Sequence, residues 1–240
     1  YMDYIKKKFN IKLPDEFQKQ NYKFSANYFQ KEWSKILEIK DFQFSHSNNP
    51  DALCIIPYTS GSTGFPKGCK HTNRTVNSVI HSYLKWLPVP HQATILTTLP
   101  LFHVTGMQNS MNVPILNGNT IVLMTRWDTE TALNLIKEYK VSSWRSITTS
   151  IIDVVNSFNS ELHDISSLLS IGGGGASMPQ KVALKLKKLT KLDYVEAYGL
   201  TETMAPTHIN PPQKIKLGSI GIPLFNVCLL YTSDAADDSY

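Results

Sequence analysis

The sequence has no long apolar segment, few cysteines and no metal-binding motif, and each absence excludes a class of protein. No stretch of its 240 residues reaches the roughly 18 consecutive apolar residues of a transmembrane helix. Its three cysteines, Cys54, Cys69 and Cys228, are too few for a disulfide-stapled scaffold. We therefore expect reduced, mostly buried thiols in a cytoplasmic protein. The sequence contains neither a Cys-x-x-Cys pair nor an HExxH motif, so it predicts no zinc site of those types.

Composition and charge are those of an ordinary globular chain with a moderate positive charge. Hydrophobic residues make up 42% and charged residues 18%, which excludes a disordered or collagen-like chain. The 24 lysines and arginines outnumber the 19 acidic residues, and the net charge of +5 suits a ligand that carries phosphates. The basic residues form no long cluster of the kind that nucleic acids need, so we expect no nucleic-acid partner. Peripheral membrane contact and the oligomeric state stay open.

Hydrophobic periodicity predicts strands that alternate with amphipathic helices. The apolar run at 52–56 predicts a buried strand, and Asp128 is expected to cap one of the helices. The alternation indicates an α/β fold of layered, parallel-rich sheets with flanking helices. The other predicted strands cover 93–96, 120–124 and 141–147, and the other predicted helices cover 76–87, 151–158 and 179–191.

Changes of composition divide the chain into three parts. Residues 1–50 are rich in lysine, asparagine, glutamine and aromatic side chains, and we expect a helical or connecting segment there. Residues 51–227 carry the alternating strands and helices, and we expect them to form the core. Residues 228–240 contain three aspartates and no basic residue, and this abrupt change predicts a non-native tail.

A loop rich in glycine and hydroxyl side chains lies between Thr59 and Gly68. Glycines let backbone N–H groups approach an anion, and serine and threonine hydroxyls add donors. Lys67 adds a positive charge, so the loop is suited to hold a polyphosphate. It is not a Walker A loop, because Pro66 replaces the second glycine and Gly68 replaces the hydroxyl residue after the lysine. The residues expected to bind phosphate are Thr59, Ser60, Gly61, Ser62, Thr63, Gly64 and Lys67.

Four segments together resemble the adenylate-forming superfamily of acyl- and aryl-CoA synthetases, firefly-type luciferases and peptide-synthetase adenylation domains. Tyr58–Gly68 resembles its signature loop, and Leu99–Gly106 resembles its acyl-pocket motif. Gly173–Pro179 is similar to its adenine-side glycine segment, and Tyr198–Thr203 to its nucleotide and metal motif. Among the branches, the chain is most similar to fatty-acid–CoA ligases. The resemblance implies the central part of the large N-terminal domain of such an enzyme.

The resemblance implies a fragment of an acyl-CoA synthetase. Such an enzyme joins a carboxylic acid, here expected to be a fatty acid, to AMP with ATP and then transfers the acyl group to coenzyme A. Lys67 and its loop would hold the β- and γ-phosphates, and Thr201 the α-phosphate. Glu202 would bind Mg²⁺, and His103 would lie at the carboxylate end of the acyl site. The further nucleotide contacts that the resemblance implies are Gly174, Gly175, Ala176, Tyr198 and Gly199.

Each of these assignments has an ordinary alternative. Glu202 could be a solvated carboxylate, His103 a buried histidine with satisfied hydrogen bonds, and Tyr198 a core side chain. Ser177 and residues 148–149 depart from the family pattern, so the shape of the substrate pocket stays open.

The overall activity also has alternatives. The chain has no counterpart of the family's ribose-binding aspartate, hinge or C-terminal lid lysine, so we expect the chain itself to be inactive. An aryl-acid–CoA ligase, a luciferase-like adenylating enzyme, a peptide-synthetase domain and a non-catalytic truncated ATP-binding module therefore stay open.

Overall fold

The computed structural model describes residues 49–59, 64–87 and 89–228, all within a unit that runs from Asn48 to Tyr240. The predictions for residues 1–48 and for the tail beyond Cys228 lie outside the described residues. Four members of the expected phosphate loop, Ser60, Gly61, Ser62 and Thr63, also lie outside them.

Short strands and helices alternate along the described chain, as the periodicity predicts. The strands are β1 Leu53–Ile55, β2 Tyr58–Thr59, β3 Lys67–Gly68, β4 His71–Thr72, β5 Thr94–Thr97, β6 Thr120–Leu123, β7 Ser143–Ile147, β8 Ser170–Gly174, β9 Tyr194–Tyr198, β10 His208–Ile209 and β11 Ile222–Pro223. The α-helices are α1 Asn73–Trp86, α2 Val104–Met107, α3 Val113–Leu116, α4 Thr129–Glu138, α5 Thr148–Ser157 and α6 Gln180–Thr190. A π-helical turn at Gln108–Asn112 joins α2 to α3, and a 3₁₀ turn covers Thr201–Thr203.

Seven of the strands form one sheet in the order β11-β10-β9-β8-β7-β5-β6. The neighbours from β9 to β6 in that order are parallel, and β10 and β11 extend the sheet as antiparallel strands. Parallel neighbours need crossover connections, and α4, α5 and α6 are the crossovers between β6, β7, β8 and β9. The predicted α/β fold with a parallel-rich sheet is therefore confirmed.

Apolar side chains cover both faces of this sheet. One cluster packs Trp144 and Ile171 of the sheet against residues of α4, α5 and α6, among them Leu186. The other cluster contains residues of α1 and the loop after β9. Tyr194 belongs to the first cluster and its neighbour Val195 to the second, because successive side chains of a strand point to opposite faces. Helices on both faces are what buries a parallel sheet.

Side-chain caps begin α1 and α4, and the cap of α4 is the one that the sequence predicts. The Asp128 carboxylate accepts a hydrogen bond from the Thr131 backbone N–H at 2.8 Å. The hydrogen bonds from Thr131 also lower the pKa of Asp128. Thr72 caps α1 in a reciprocal arrangement with Thr75, so this helix begins before the predicted Val76. Both observations confirm the predicted helices and move one boundary.

Two predictions about burial are wrong. The apolar run at 52–56 forms only the short strand β1, and the Leu53 side chain is 56% exposed. β1 pairs with β4 alone and lies outside the seven-stranded sheet. Cys54 and Cys228 are exposed and Cys69 is half-buried, so the expectation of mostly buried thiols is also wrong. None of the helices in the described ranges is long and apolar enough to span a membrane.

Candidate active site

The loops that follow parallel strands meet at one edge of the sheet. Residues after β5, β8 and β9 contribute to a single cavity of about 150 Å³. His103, Gly174, Gly175, Tyr198 and Gly199, all expected site residues, lie in its wall. The crevice outside the carboxyl ends of the strands is the usual ligand site of such sheets. The structure therefore brings five of the expected residues together around one space.

The glycine segment makes its part of the wall without side chains. A Cβ atom on Gly173 would overlap the Ser146 carbonyl oxygen and lie 2.8 Å from the Tyr194 hydroxyl. A Cβ atom on Gly174 would overlap the Ala197 carbonyl oxygen, and Gly175 has a φ of +87°. These contacts and this φ require glycine, because β8 lies directly against its two neighbours and then turns sharply. A ligand can consequently approach the backbone of this wall closely.

His103 is an exposed side chain at the start of α2, which excludes the alternative of a buried histidine. Its Nδ1 accepts a hydrogen bond from the Thr105 backbone N–H at 3.2 Å, and this bond caps the short helix. The neutral ring then carries its proton on Nε2, which is available to donate to a ligand. The arrangement suits contact with a carboxylate oxygen in the cavity.

Tyr198 ends β9 with 43% of its surface exposed, so it is not the core side chain of the alternative interpretation. Its ring lies 6.2 Å from the ring of buried His208 at an interplanar angle of 66°. This edge contact supports one side of the aromatic ring. The exposed part of Tyr198 can stack on a planar ligand such as adenine.

The described ends of the phosphate loop form the two-stranded hairpin of β2 and β3. Thr59 pairs with Lys67 in this hairpin, so the two residues lie opposite each other across the loop's base. The Lys67 side chain and Gly64 are exposed. The positive charge of Lys67 is therefore presented to solvent at the base of the loop.

Buried His71 connects this hairpin to the Thr201–Thr203 turn. The His71 Nε2 atom lies 2.8 Å from the Thr201 carbonyl oxygen and donates to it, although the two residues are 130 positions apart. Cys69, two residues before His71, has its pKa raised by burial and, to a smaller degree, by the negative charge of Glu202. Lys67, Thr201 and Glu202 consequently belong to neighbouring segments. His71 had no motif that could have identified it from the sequence.

Glu202 offers a single carboxylate, which suits a metal ion whose other ligands are phosphates and water. Across the described residues, no three His, Cys, Asp or Glu side chains are grouped for metal binding. Glu202 is an exposed carboxylate next to the segment of Lys67. Mg²⁺ is commonly held by one or two carboxylates, with phosphates and water as the remaining ligands. Glu202 alone thus fits a Mg²⁺ ion that accompanies a nucleotide.

Thr148 and Ser177 are two of the residues that depart from the family pattern, and the structure shows where both lie. The Thr148 hydroxyl donates to the Ala176 carbonyl oxygen at 2.9 Å and holds the loop after β8 against α5. Ala176 and Ser177 are exposed and lie outside the wall of the cavity. Thr148 therefore orients the glycine segment without contacting the cavity itself.

Three further residues of the site carry no motif in the sequence. Buried Glu196 accepts hydrogen bonds from the backbone N–H groups of Met178 at 2.8 Å and Gly218 at 2.9 Å. It thereby ties together two loops of the sheet edge. Arg145 and Asn109 lie in the cavity wall and are also buried. A charged residue inside the otherwise apolar and small-residue strand β7 was the one available signal for Arg145.

Comparisons with known proteins show what this chain is similar to. The family described as AMP-binding enzyme matches residues 6–235. 4-Coumarate–CoA ligase-like 9 from Arabidopsis thaliana is 33% identical over 180 residues, which cover 72% of this chain and 32% of that protein. Long-chain-fatty-acid–CoA ligase from Bacillus subtilis is 29% identical, over 82% of this chain and 35% of that protein. The chain spans about a third of the length of these curated relatives.

The fold is also shared with a solved structure. The N-terminal domain of FACL13 from Mycobacterium tuberculosis, in an inhibitor-bound crystal structure, has a TM-score of 0.69 and 26% identity to this chain. The matched region covers 75% of this chain and 46% of that chain.

Proposed function

Since this chain belongs to the family of AMP-binding enzymes, we propose that the protein containing it is an acid–CoA ligase. The proposed reaction uses ATP to convert a carboxylic acid into an acyl adenylate and then transfers the acyl group to coenzyme A. The observation that carries the proposal is the single cavity in whose wall His103, the glycine segment and Tyr198 meet. The approach of the Lys67 hairpin to Thr201 through His71 supports it.

The first proposed step is attack of a carboxylate oxygen on the α-phosphorus of ATP. An O–P bond forms, the bond between the α-phosphorus and the bridging oxygen breaks, and pyrophosphate leaves. Lys67 would bind the departing phosphates, and Thr201 would donate a hydrogen bond to the α-phosphate, where negative charge develops. Glu202 would supply one oxygen ligand to Mg²⁺, which, when bound, neutralises phosphate charge.

The remaining contacts position the reactants. Tyr198 would stack on adenine while the glycine wall, with Gly174 and Gly175, lies along the nucleotide. His103 would donate from Nε2 to the reacting carboxylate. In the second step the coenzyme A sulfur attacks the acyl carbonyl carbon, and AMP leaves with the electrons of the broken C–O bond. The protein mainly orients these groups, and orientation alone can lower a barrier by about 7–11 kcal/mol.

The acid we propose is aliphatic, of the fatty-acid type. Apolar side chains of Leu87, Val195 and Ile209 in the cavity wall support an aliphatic acyl group. An aryl acid is the second candidate, because the relatives include a 4-coumarate–CoA ligase-like protein as well as a fatty-acid–CoA ligase. The luciferase-like activity stays an alternative, and the cytoplasmic location stays a prediction.

The experiment that tests this function is a substrate panel with the protein that contains this chain. Formation of CoA thioesters is measured with ATP and Mg²⁺ for aliphatic and aromatic acids. We expect thioester formation with aliphatic acids, and a Glu202→Gln variant that needs much more Mg²⁺ for the same rate. A variant of the exposed Lys85 to Ala, on α1, is the control and should match the unchanged protein. Thioesters formed from aromatic acids alone would favour the second candidate, and no thioester from any acid would contradict the ligase.

A further inference from the structure

The wall of the cavity contains a buried arginine that the adenylation chemistry does not use. Arg145 lies in the middle of β7, where it is opposite Thr97 of β5 and Gly172 of β8. Its side chain is only 5% exposed, and it shares the cavity wall with His103 and Tyr198. Arginine is almost never so deeply buried unless its charge has a partner.

The hydrogen bonds of Arg145 leave that charge without a counter-ion. Its Nε donates to the Tyr83 hydroxyl and its Nη2 to the Ser170 hydroxyl, both at 2.7 Å. Both partners are neutral, and Nη1 is buried without any hydrogen-bond partner. Among the described residues, no carboxylate lies within 4.0 Å of the guanidinium. An unpaired buried charge costs several kcal/mol, so a purely structural role would more simply be filled by an apolar residue.

Asn109, in the same cavity wall, also has a buried polar atom without a hydrogen-bond partner. Asn109 is 8% exposed, and its Oδ1 is buried without a hydrogen-bond partner. No described residue forms a hydrogen bond with its side-chain amide. Asn109 lies in the π-helical turn between α2 and α3, and such turns occur frequently at functional sites. The Asn109 Oδ1 atom lacks a hydrogen-bond donor, whereas Arg145 Nη1 lacks an acceptor, so of the two side chains only Arg145 calls for an anionic ligand.

We propose that the acid carries a second carboxylate, which binds to the guanidinium of Arg145. This inference rests on the proposed function and replaces its fatty-acid-type substrate with a short aliphatic dicarboxylic acid, whose other carboxylate reacts at His103. A carboxylate matches the planar donor geometry of a guanidinium and neutralises its charge. The cavity of about 150 Å³ is small, so we expect a short acid.

The test compares two acids that differ only at the far end of the chain. Succinate and butyrate have the same number of carbons, and succinate carries a carboxylate where butyrate carries a methyl group. Calorimetry on the protein containing this chain should give a dissociation constant for succinate at least about 10-fold lower than that for butyrate. Adipate and hexanoate form a second matched pair, which separates the effect of charge from that of length.

Variants locate the effect at Arg145. Arg145→Met keeps an unbranched apolar stem and removes the guanidinium with its charge. We expect succinate to bind about 10- to 100-fold more weakly while butyrate binding stays unchanged. Arg145→Lys should retain part of the preference. Arg126→Met, which changes an exposed arginine after β6, is the matched control and should bind both acids as the unchanged protein does.

The outcomes separate this inference from the proposed function. Equal affinity for both acids of each pair, or tighter binding of the monocarboxylic acids, would overturn the inference even if CoA thioesters form. Preference for dicarboxylic acids that is lost in Arg145→Met, without any adenylation, would keep the subsite and contradict the ligase. If Arg145→Met does not fold, the two matched pairs in the unchanged protein decide the question by themselves.

Discussion

The hydrogen bond from His71 to the Thr201 carbonyl oxygen should couple the stability of the fold to nucleotide binding. The His71 ring is 4% exposed, and its Nε2 lies 2.8 Å from that oxygen. His71→Leu keeps much of the volume but leaves the carbonyl oxygen without its donor, which costs about 1–3 kcal/mol. Thr201, the residue expected to contact the α-phosphate, would then be less well positioned, and a displacement of about 1 Å can cost 100-fold in rate.

Two measurements test this reasoning. Denaturant unfolding of the variant should show a free energy of unfolding lower by about 1–3 kcal/mol, and ATP should bind more weakly. His71→Gln places an amide N–H₂ group near the position of Nε2 and should recover part of both losses. The control is His91→Leu, because the exposed His91 ring also lies 2.7 Å from a backbone carbonyl oxygen, that of Asn117, outside the cavity.

The reasoning would be refuted by a His71→Leu variant that binds ATP as tightly as the unchanged protein. A variant that loses stability but not nucleotide affinity would show that the bond holds the fold together without orienting the site. Equal losses in the His71 and His91 variants would mean that any histidine–carbonyl bond has the same effect.

Three further changes should have distinct effects. Lys67→Ala should slow ATP–pyrophosphate exchange about 10- to 100-fold, whereas the same change at Lys85 on α1 should not; equal rates for both variants would remove Lys67 from the site. Gly173→Ala should lower the free energy of unfolding by about 1–3 kcal/mol, because the new Cβ would overlap the backbone of β7. Gly64→Ala is the control, because its Cβ has open space around it and thermal stability should stay unchanged. Asp128→Asn should be less stable than the unchanged protein at neutral pH, and the difference should vanish as the pH falls. The fold lowers the pKa of the Asp128 carboxyl from 3.8. The ionised carboxylate therefore stabilises the fold above that value, and the stabilisation is lost as the pH falls through the folded pKa. A difference in melting temperature that is constant with pH would contradict this reasoning.

Local patterns in the sequence were sufficient for most of the helices and parallel strands. Alternating apolar positions and the Asp128 cap predict elements that the structure contains, because periodicity and capping act within a few residues. The strand β9 was not predicted. Its sequence from Tyr194 to Tyr198 includes Glu196, whose buried carboxylate accepts hydrogen bonds from two backbone N–H groups that are distant in the sequence. The apolar run at 52–56 indicated a strand but not which partner it has.

Some residues of the candidate site could also be predicted from local patterns, and others could not. The segments with His103, the glycine wall and Tyr198 could be identified from motifs, and the structure places them around one cavity. The contact of His71 with Thr201 depends on how the hairpin packs against a turn 130 residues later, and no local pattern encodes it. The unpaired guanidinium of Arg145 is visible only once its hydrogen-bond partners and its burial are known.

The measurement that tests the central claim most directly is acid-dependent exchange of labelled pyrophosphate into ATP by the protein that contains this chain. Exchange requires that the acyl adenylate form reversibly, so it reports the first step without coenzyme A. We predict exchange that depends on both a carboxylic acid and Mg²⁺ and that falls in the Lys67→Ala variant. ATP binding without exchange for any acid, or ATP hydrolysis that is independent of acid, would contradict the account.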